Sequence, residues 1–137
     1  MTDLEAAAPS PLLASLGDGR FIEFVASENR AVMEFTGKPE FCHSGDVVQG
    51  GYVTAWLDAA MAHATLLATE GALVPATLEI KVNFLRATHP GRVRAEAWIE
   101  RLGKSIAFLS GRVSAANGEV LATATSTVKL LPADRAR

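Results

Sequence analysis

The second half of the chain carries apolar side chains at every second position, which is the pattern of half-buried β-strands. Four runs show this alternation. They span residues 78–84, 93–99, 105–113 and 120–129. Short turn sequences separate the runs, and Asn117-Gly118 before the last one is a strong hairpin signal. We therefore predict four strands that form a meander.

The first half begins with signals for a short helix and a hairpin. Ser10 and Pro11 are typical of a helix start, and the apolar turn that follows stops at Gly17. This short helix is expected to cover a sheet edge. Residues 21–25 and 30–36 have the composition of two strands joined by a polar turn.

Residues 50–69 are the one long helix candidate, which Gly71 and Pro75 are expected to close. A surface helix would carry more charge than this segment does. Small side chains on it would let strands approach closely on several faces. The alanines stand at positions 55, 59, 60, 62, 64 and 68. One such helix followed by antiparallel strands predicts an α+β fold, with a curved antiparallel sheet wrapped around one long central helix.

The length of 137 residues is enough for one domain with a sizeable core. At 49% hydrophobic and 20% charged residues, the composition is that of a globular protein and not of a disordered one. We expect an N-terminal tail and short helix over 1–20, a single domain over 21–131, and a C-terminal tail over 132–137.

Charge and cysteine content exclude several classes of function. A net charge of -2 gives no support to binding of nucleic acid or of an anionic membrane. Cys42 is the only cysteine, so an internal disulfide is excluded and a reducing compartment is favoured. The acidic first residues lack the apolar region of a secretory signal, and Asp58 and His63 interrupt the longest apolar stretch. We expect a soluble cytoplasmic protein with neither nucleic-acid nor membrane partners.

Residues 43–64 read HSGDVVQGGYVTAWLDAAMAHA. This segment resembles the hotdog-fold thioesterases, specifically the phenylacetate-pathway-like acyl-CoA thioesterase group. That group shows an Asn, a Gly, then His-Gly-Gly, and an Asp eight residues after the first glycine of the pair. Gly50 and Asp58 keep this spacing. The later strands resemble the family as well, so the similarity covers residues 21–131, although only the glycine-to-aspartate spacing is diagnostic.

The resemblance implies hydrolysis of a thioester. This reaction builds negative charge on the carbonyl oxygen, and the free N–H groups at a helix start can receive it. Gly50 and Gly51 would supply those donors. Asp58 would either attack the carbonyl carbon or take a proton from the attacking water, and both roles remain open. Thr77 matches the position of a hydroxyl that the family often places near this water.

The spacing of Gly50 and Asp58 predicts a site shared between two chains. Eight residues of helix separate them by about 12 Å, so a single thioester cannot contact both within one chain. In the family two hotdog domains pair side by side, and each active site takes residues from both subunits. The resemblance therefore implies a homodimer, which the family often assembles into a homotetramer.

Coenzyme A is part of the expected substrate, and no metal or bound redox cofactor is expected. The family lays the pantetheine arm along strand edges and the phosphates on surface cations. The resemblance assigns this binding to Asn83, Arg86, Lys104 and Ser105. Arg92, Arg94 and Arg112 provide further cations nearby in the sequence.

Two positions depart from the family pattern and leave alternatives open. Gln49 replaces the His before the glycines, and its amide can either position a thioester or fix the helix start. His43 replaces the Asn, and it can orient the water as Asn would or act as an acid. An acid here would favour a hotdog enoyl-CoA hydratase or dehydratase.

Our leading hypothesis is an acyl-CoA or aryl-CoA thioesterase, and a non-catalytic acyl-CoA-binding protein is a further alternative. The nature of the acyl group is left open by the motif. Trp56 and Trp98 either line an acyl pocket or serve packing alone.

Overall fold

Six antiparallel strands form one sheet, and one long helix packs against it. The computed structural model describes residues 10–134, so positions 1–9 of the predicted N-terminal tail and 135–137 of the C-terminal tail lie outside the described residues. In chain order the elements are α1 (Pro11–Ser15), β1 (Arg20–Val25), β2 (Arg30–Gly37), β3 (Cys42–Ser44), β4 (Val47–Val48), α2 (Gly50–Ala68), β5 (Leu73–Phe84), β6 (Gly91–Leu102), β7 (Ile106–Ala115) and β8 (Val120–Pro132). The predicted α+β class is confirmed.

The strand order corrects the predicted meander. The large sheet has the order β1-β2-β6-β7-β8-β5, so of the four strands predicted to form the meander only β6, β7 and β8 are hairpin neighbours. β5 pairs with β8 at the far edge, and β6 pairs with β2. The alternation of side chains specifies which face of a strand is buried but not which strand lies beside it. Helix α2 stands between β2 and β5 in the chain, and it contacts both of these strands.

The core lies between α2 and the sheet. Trp56, at 0% exposure, stacks on Phe35 of β2 with 5.8 Å between ring centroids. Its Nε1–H donates to the Leu16 carbonyl at 2.6 Å and so ties the turn after α1 to the long helix. The helix residues of the core are Val53, Trp56, Leu57, Ala60, Met61 and Ala64. Burying each large apolar side chain stabilises the fold by about 1.5–3 kcal/mol.

Strands of the sheet contact α2 at several places within a single chain. Four strands, β2, β5, β6 and β7, contact the helix. Ala60 and Ala64 are fully buried, whereas Ala55, Ala59 and Ala62 are only half-buried. The prediction that small side chains let strands approach this helix closely agrees with these contacts, and the half-buried alanines leave one face of α2 partly open.

The helix ends close to the predicted place, but Pro75 has a different role. Gly71 adopts a φ of 81°, which favours glycine, and its N–H donates to the Leu66 carbonyl at 2.7 Å. Pro75 was expected to stop the helix, yet it lies inside β5 opposite Leu130. An edge strand tolerates proline because the missing N–H would face away from the sheet.

His63, a residue of α2, packs against strand β1. Its ring stacks on Phe21 with 6.2 Å between centroids, and its Nδ1 contacts the Ala59 carbonyl at 2.9 Å. Burial lowers the pKa of His63 below its usual value, against a smaller opposing effect of that hydrogen bond. The neutral imidazole is therefore the favoured form in the folded protein.

We predict that the protein loses stability as the pH falls through the ordinary histidine pKa of 6.5. Just below this pKa the unfolded chain binds a proton at His63, which the folded chain binds only at lower pH. The contribution of neutral His63 to the free energy of unfolding is therefore fully present above the ordinary pKa. It is lost as the pH falls towards the lower pKa of the folded state. Urea unfolding from about pH 8 to about pH 5 should show a steeper loss for the natural protein than for His63→Phe. Parallel stability curves for the two proteins would contradict this.

Candidate active site

The start of α2 leaves one backbone donor open. Gln49 is the N-cap, and its Oε1 accepts a hydrogen bond from the Gly51 N–H at 2.8 Å. The Gly50 N–H has no hydrogen-bond partner among residues 10–134. Of the two predicted donors, Gly50 is thus free to bind an anion while Gly51 is engaged. In this structure the Gln49 side chain fixes the helix start, and its role in positioning a thioester stays a prediction.

A cavity of about 320 Å³ lies beside this helix start, and we refer to it as the Gly50 cavity. Its walls include Gly50, His43, Val48, Val53, Phe84 and Leu85. His43 is exposed and its Nδ1 lies 2.8 Å from the Ser44 Oγ. The predicted motif residues His43 and Gly50 are therefore brought together at one cavity.

Gly50 lies directly beneath an aromatic side chain. A Cβ atom at this position would lie 3.1 Å from the Phe84 ring, which is closer than ordinary van der Waals contact. Phe84 thus packs directly over the start of α2. Sequence reasoning missed this residue because strand alternation places it on the buried side without showing what it contacts.

Neither tryptophan lines the Gly50 cavity. Trp56 lies in the core, and Trp98 lies on the outer face of the sheet, where the Arg112 guanidinium sits 5.4 Å from its ring centroid. Of the two alternatives for these residues, the structure shows packing.

Asp58 and Thr77 form a second polar group on the exposed side of α2. The Thr77 Oγ1–H donates to the Asp58 Oδ1 at 2.9 Å, and both residues are exposed. One carboxylate oxygen is held by this bond, which orients the group. The two predicted residues are therefore in direct contact, as a water-activating or nucleophilic carboxylate would need.

A β-bulge in β5 makes this contact possible. Thr77 pairs with Val128 and Glu79 pairs with Thr127, so Leu78 has no partner on β8. The extra residue breaks the predicted alternation: Leu78 is 60% exposed, and Thr77 shares the helix-facing side with Ile80. Without the bulge, strand periodicity would turn the Thr77 hydroxyl away from α2.

The two polar groups are far apart in one chain. Helix α2 is continuous from Gly50 to Ala68, so Gly50 and Asp58 are separated by about 12 Å along its axis. Asp58 is absent from the walls of the Gly50 cavity. The single chain therefore holds two half-sites, an anion-binding donor and a carboxylate.

The residues predicted to bind coenzyme A lie in two places. Asn83 and Arg86 stand at the Phe84 end of β5, and Arg86 is paired with Glu119 at 3.6 Å. Lys104 and Ser105 form the turn between β6 and β7, where the Ser105 carbonyl accepts from the Leu130 N–H. Leu130 lies opposite Pro75, so about 25 Å of β5 separates the two pairs.

The further arginines lie on the outer face of the sheet, around a depression of about 450 Å³. Glu34 accepts a hydrogen bond from Arg20, which lowers the pKa of its carboxyl, and it forms an ion pair with Arg92 at 3.4 Å. Glu96 lies 3.3 Å from Arg112 and also binds Arg30. Most of these predicted cations are therefore neutralised by carboxylates, on the opposite face from α2.

No three His, Cys, Asp or Glu side chains within residues 10–134 stand close enough to hold a metal ion. The expectation of a reaction without a cofactor stays a prediction. No helix in this same part of the chain is long and apolar enough to cross a membrane.

Comparison with known proteins shows the family to which the chain belongs. A family model described as the thioesterase superfamily matches residues 45–122, which is more than half of the chain. "Putative esterase SSO2140" of Saccharolobus solfataricus is 29% identical over 104 residues, covering 76% of this chain and 74% of that protein.

Solved structures show the same fold. A phenylacetic acid degradation-related protein from Ralstonia eutropha JMP134 has a TM-score of 0.81 and 28% identity, covering 89% of this chain and 92% of its own. Thioesterase HI1161 from Haemophilus influenzae has a TM-score of 0.83 at 18% identity, covering 95% and 89%. The hotdog fold predicted from the sequence is confirmed. The chain belongs to the thioesterase superfamily and is a thioester hydrolase with the hotdog fold.

Proposed function

We propose that the protein hydrolyses an acyl-CoA or aryl-CoA thioester to the free acid and coenzyme A, at a site that two copies of the chain share. The observation that carries this proposal is the pair of half-sites on one continuous helix. The open Gly50 N–H and the Asp58 carboxylate supply complementary parts of a thioester hydrolysis site, yet they are held about 12 Å apart.

In this mechanism the Gly50 N–H donates to the thioester carbonyl oxygen. Negative charge develops on this oxygen as the carbonyl carbon becomes tetrahedral, and the positive end of the helix dipole favours that charge. Loss of one such donor in other enzymes costs about 2.7–4 kcal/mol in the activation barrier. The absence of a Cβ at Gly50 lets the thioester approach the backbone closely.

Asp58 supplies the second function by one of two routes. As a general base it takes a proton from water, and the hydroxide adds to the carbonyl carbon. As a nucleophile it adds directly, forming an acyl-aspartyl anhydride that water then hydrolyses. In both routes the carbon–sulfur bond breaks, the thiolate leaves and is protonated, and the acid is released.

The edge strand β5 supports a shared site. It has only one neighbour in the sheet, and Leu78 and Phe84 on it are 60% and 55% exposed. An apolar edge of this kind favours pairing with a second copy. A two-fold axis between positions 77 and 84 of β5 would bring the Thr77 end of one copy beside the Phe84 end of the other.

The same pairing would bring together the residues proposed to bind coenzyme A. Lys104 and Ser105 lie near the Pro75 end of β5, and Asn83 and Arg86 lie near its Phe84 end. An antiparallel partner would place one pair close to the other across the interface. Assembly of two dimers into a tetramer and a cytoplasmic location stay predictions.

A second candidate reaction is hydration of an enoyl-CoA or the reverse dehydration. The observation that favours it is His43, whose ring lines the Gly50 cavity and can exchange a proton there. Loss of enoyl absorbance without appearance of thiol would support it. Membership of the thioesterase superfamily favours hydrolysis over both this reaction and binding without catalysis.

We predict that Asp58→Asn lowers thiol release by about a hundredfold or more while the fold is kept, because the amide can neither attack nor accept the proton. Release of thiol from a panel of acyl-CoA and aryl-CoA esters measures this. Glu79→Gln, which removes another exposed carboxylate from the Thr77 region, is the matched control and should keep activity. Turnover of Asp58→Asn within a few-fold of the natural protein would exclude the proposed role.

Thr77→Val should lower kcat with little effect on KM, because it removes the hydrogen bond that orients the Asp58 carboxylate. Thr77→Ser keeps a hydroxyl on the same Cβ and should restore most of the rate. Equal rates for the valine and serine variants would mean that the hydroxyl has no part in the reaction.

Gly50→Pro tests the backbone donor directly. Proline is favoured at the first helical position, where it removes the N–H and adds a ring, and the extended Gln49 before it has a backbone conformation that proline accepts. We expect a loss of about a hundredfold in kcat for Gly50→Pro beyond any loss in Gly50→Ala. The alanine variant places a Cβ against Phe84 but keeps the donor. Equal losses in both would remove the N–H from the mechanism.

Mixing inactive variants tests whether the site is shared. Asp58→Asn and Gly50→Pro chains, unfolded together and refolded in equal amounts, should regain about a quarter of the natural activity. Half of the dimers would then be mixed, and each mixed dimer would hold one intact site. No regained activity in a confirmed mixed dimer would place both functions within a single chain.

A further inference from the structure

The Gly50 cavity has a buried floor and an exposed rim. Val48, Val53 and Thr88 are 3%, 2% and 4% exposed and are the buried residues of its lining, and we call the two valines the valine floor. Phe84 and Leu85 are 55% and 57% exposed and stand at its mouth. His43 and Arg86, the charged or titratable side chains of this cavity, are exposed as well.

This arrangement suits the acyl part of a thioester better than its pantetheine arm. Pantetheine contains two amides, and each would lose its hydrogen bonds to water against the valine floor. An alkyl or aryl group loses nothing of this kind and gains apolar contact. When the carbonyl oxygen accepts from the Gly50 N–H, either the acyl group or the sulfur side of the thioester can point into the cavity. Only the acyl group can enter it without bringing the nucleotide of coenzyme A with it.

Phe84 controls the access between this floor and the helix start. It lies opposite Ala122, a residue 1% exposed, so its side chain is on the helix-facing side of β5. Its ring lies 3.1 Å from the position that a Cβ on Gly50 would take. Leu85 follows the end of the strand, and its N–H is held by the Leu121 carbonyl.

We propose that Phe84 determines the acyl specificity of this enzyme. Its ring packs over Gly50 and narrows the Gly50 cavity, so that it limits the length or width of the acyl group that can reach the valine floor. This inference rests on the proposed function, because it takes the Gly50 N–H as the group that binds the thioester carbonyl.

A consequence of the contact is that Phe84 also sets how the thioester meets the donor. Because the ring packs on Gly50, a thioester that reaches the N–H passes close to the ring. Removing the ring would enlarge the cavity that Phe84 lines together with Val53, and bulkier acyl groups could fill the added volume. Specificity and carbonyl position are therefore coupled through one side chain.

The test compares Phe84→Ala with the natural protein on straight-chain acyl-CoA esters from acetyl to palmitoyl and on phenylacetyl-CoA. We expect kcat/KM for the longest esters to rise relative to acetyl-CoA by about tenfold or more. Phe108→Ala is the matched control, since Phe108 is a phenylalanine of similar exposure at 46% on β7 and does not line the cavity. It should leave the profile unchanged.

Binding measurements separate this inference from the proposed hydrolysis. Acyl-CoA thioethers of increasing chain length cannot be hydrolysed, and calorimetry gives their affinity for both proteins. Tighter binding of the long thioethers by Phe84→Ala supports the inference even if no thiol is ever released from the natural esters. Absence of thiol release from every ester in the natural protein would refute the proposed function alone.

Two results would overturn the role of Phe84. The first is a chain-length profile, in both hydrolysis and thioether binding, that is the same with and without the ring. The second is an equal fall for every ester and thioether, which would assign the ring to folding or assembly only. Light scattering on Phe84→Ala and Phe108→Ala shows whether their oligomeric state has changed. Phe84→Leu removes less volume than Phe84→Ala, so its chain-length profile should lie between those of Phe84→Ala and the natural protein.

Discussion

The rigidity of α2 is the constraint on which the rest of this structure depends. A continuous helix fixes the distance between any two of its residues, so the donor at Gly50 and the carboxylate at Asp58 cannot approach each other by any local adjustment. Chemistry that needs both must take them from two copies. The open face of α2 and the exposed edge of β5 leave room for a second copy beside both half-sites.

The two half-sites arise in different ways. At the helix start, ordinary N-capping by Gln49 engages the Gly51 N–H, and the Gly50 N–H has no partner within residues 10–134. At the strand, the bulge at Leu78 turns the Thr77 hydroxyl towards Asp58. Regular strand geometry would turn this hydroxyl away from the helix.

The two faces of the sheet have separate electrostatic roles. On the outer face, Glu34 and Glu96 each lie between two arginines, so charge there is mostly balanced within the chain. On the helix side, the charged Asp58 has a neutral hydroxyl as its partner. The carboxylate proposed to act on the substrate therefore lies on the opposite face from the arginine-rich surface.

The sequence alone determined the α+β class, the long helix to within one residue of its end, and the pairing of Gly50 with Asp58 as candidate chemistry. The class and the helix follow from periodicity and capping residues, which depend on neighbours along the chain. The pairing of Gly50 with Asp58 follows from the resemblance of residues 43–64 to the thioesterases. Only the tertiary structure decided that β5 lies at the far edge, that Leu78 bulges, that Phe84 covers Gly50 and that Trp56 and Trp98 lie away from the cavity. Those features arise from packing between segments distant in sequence, and strand alternation carries no information about which distant segment a side chain will meet.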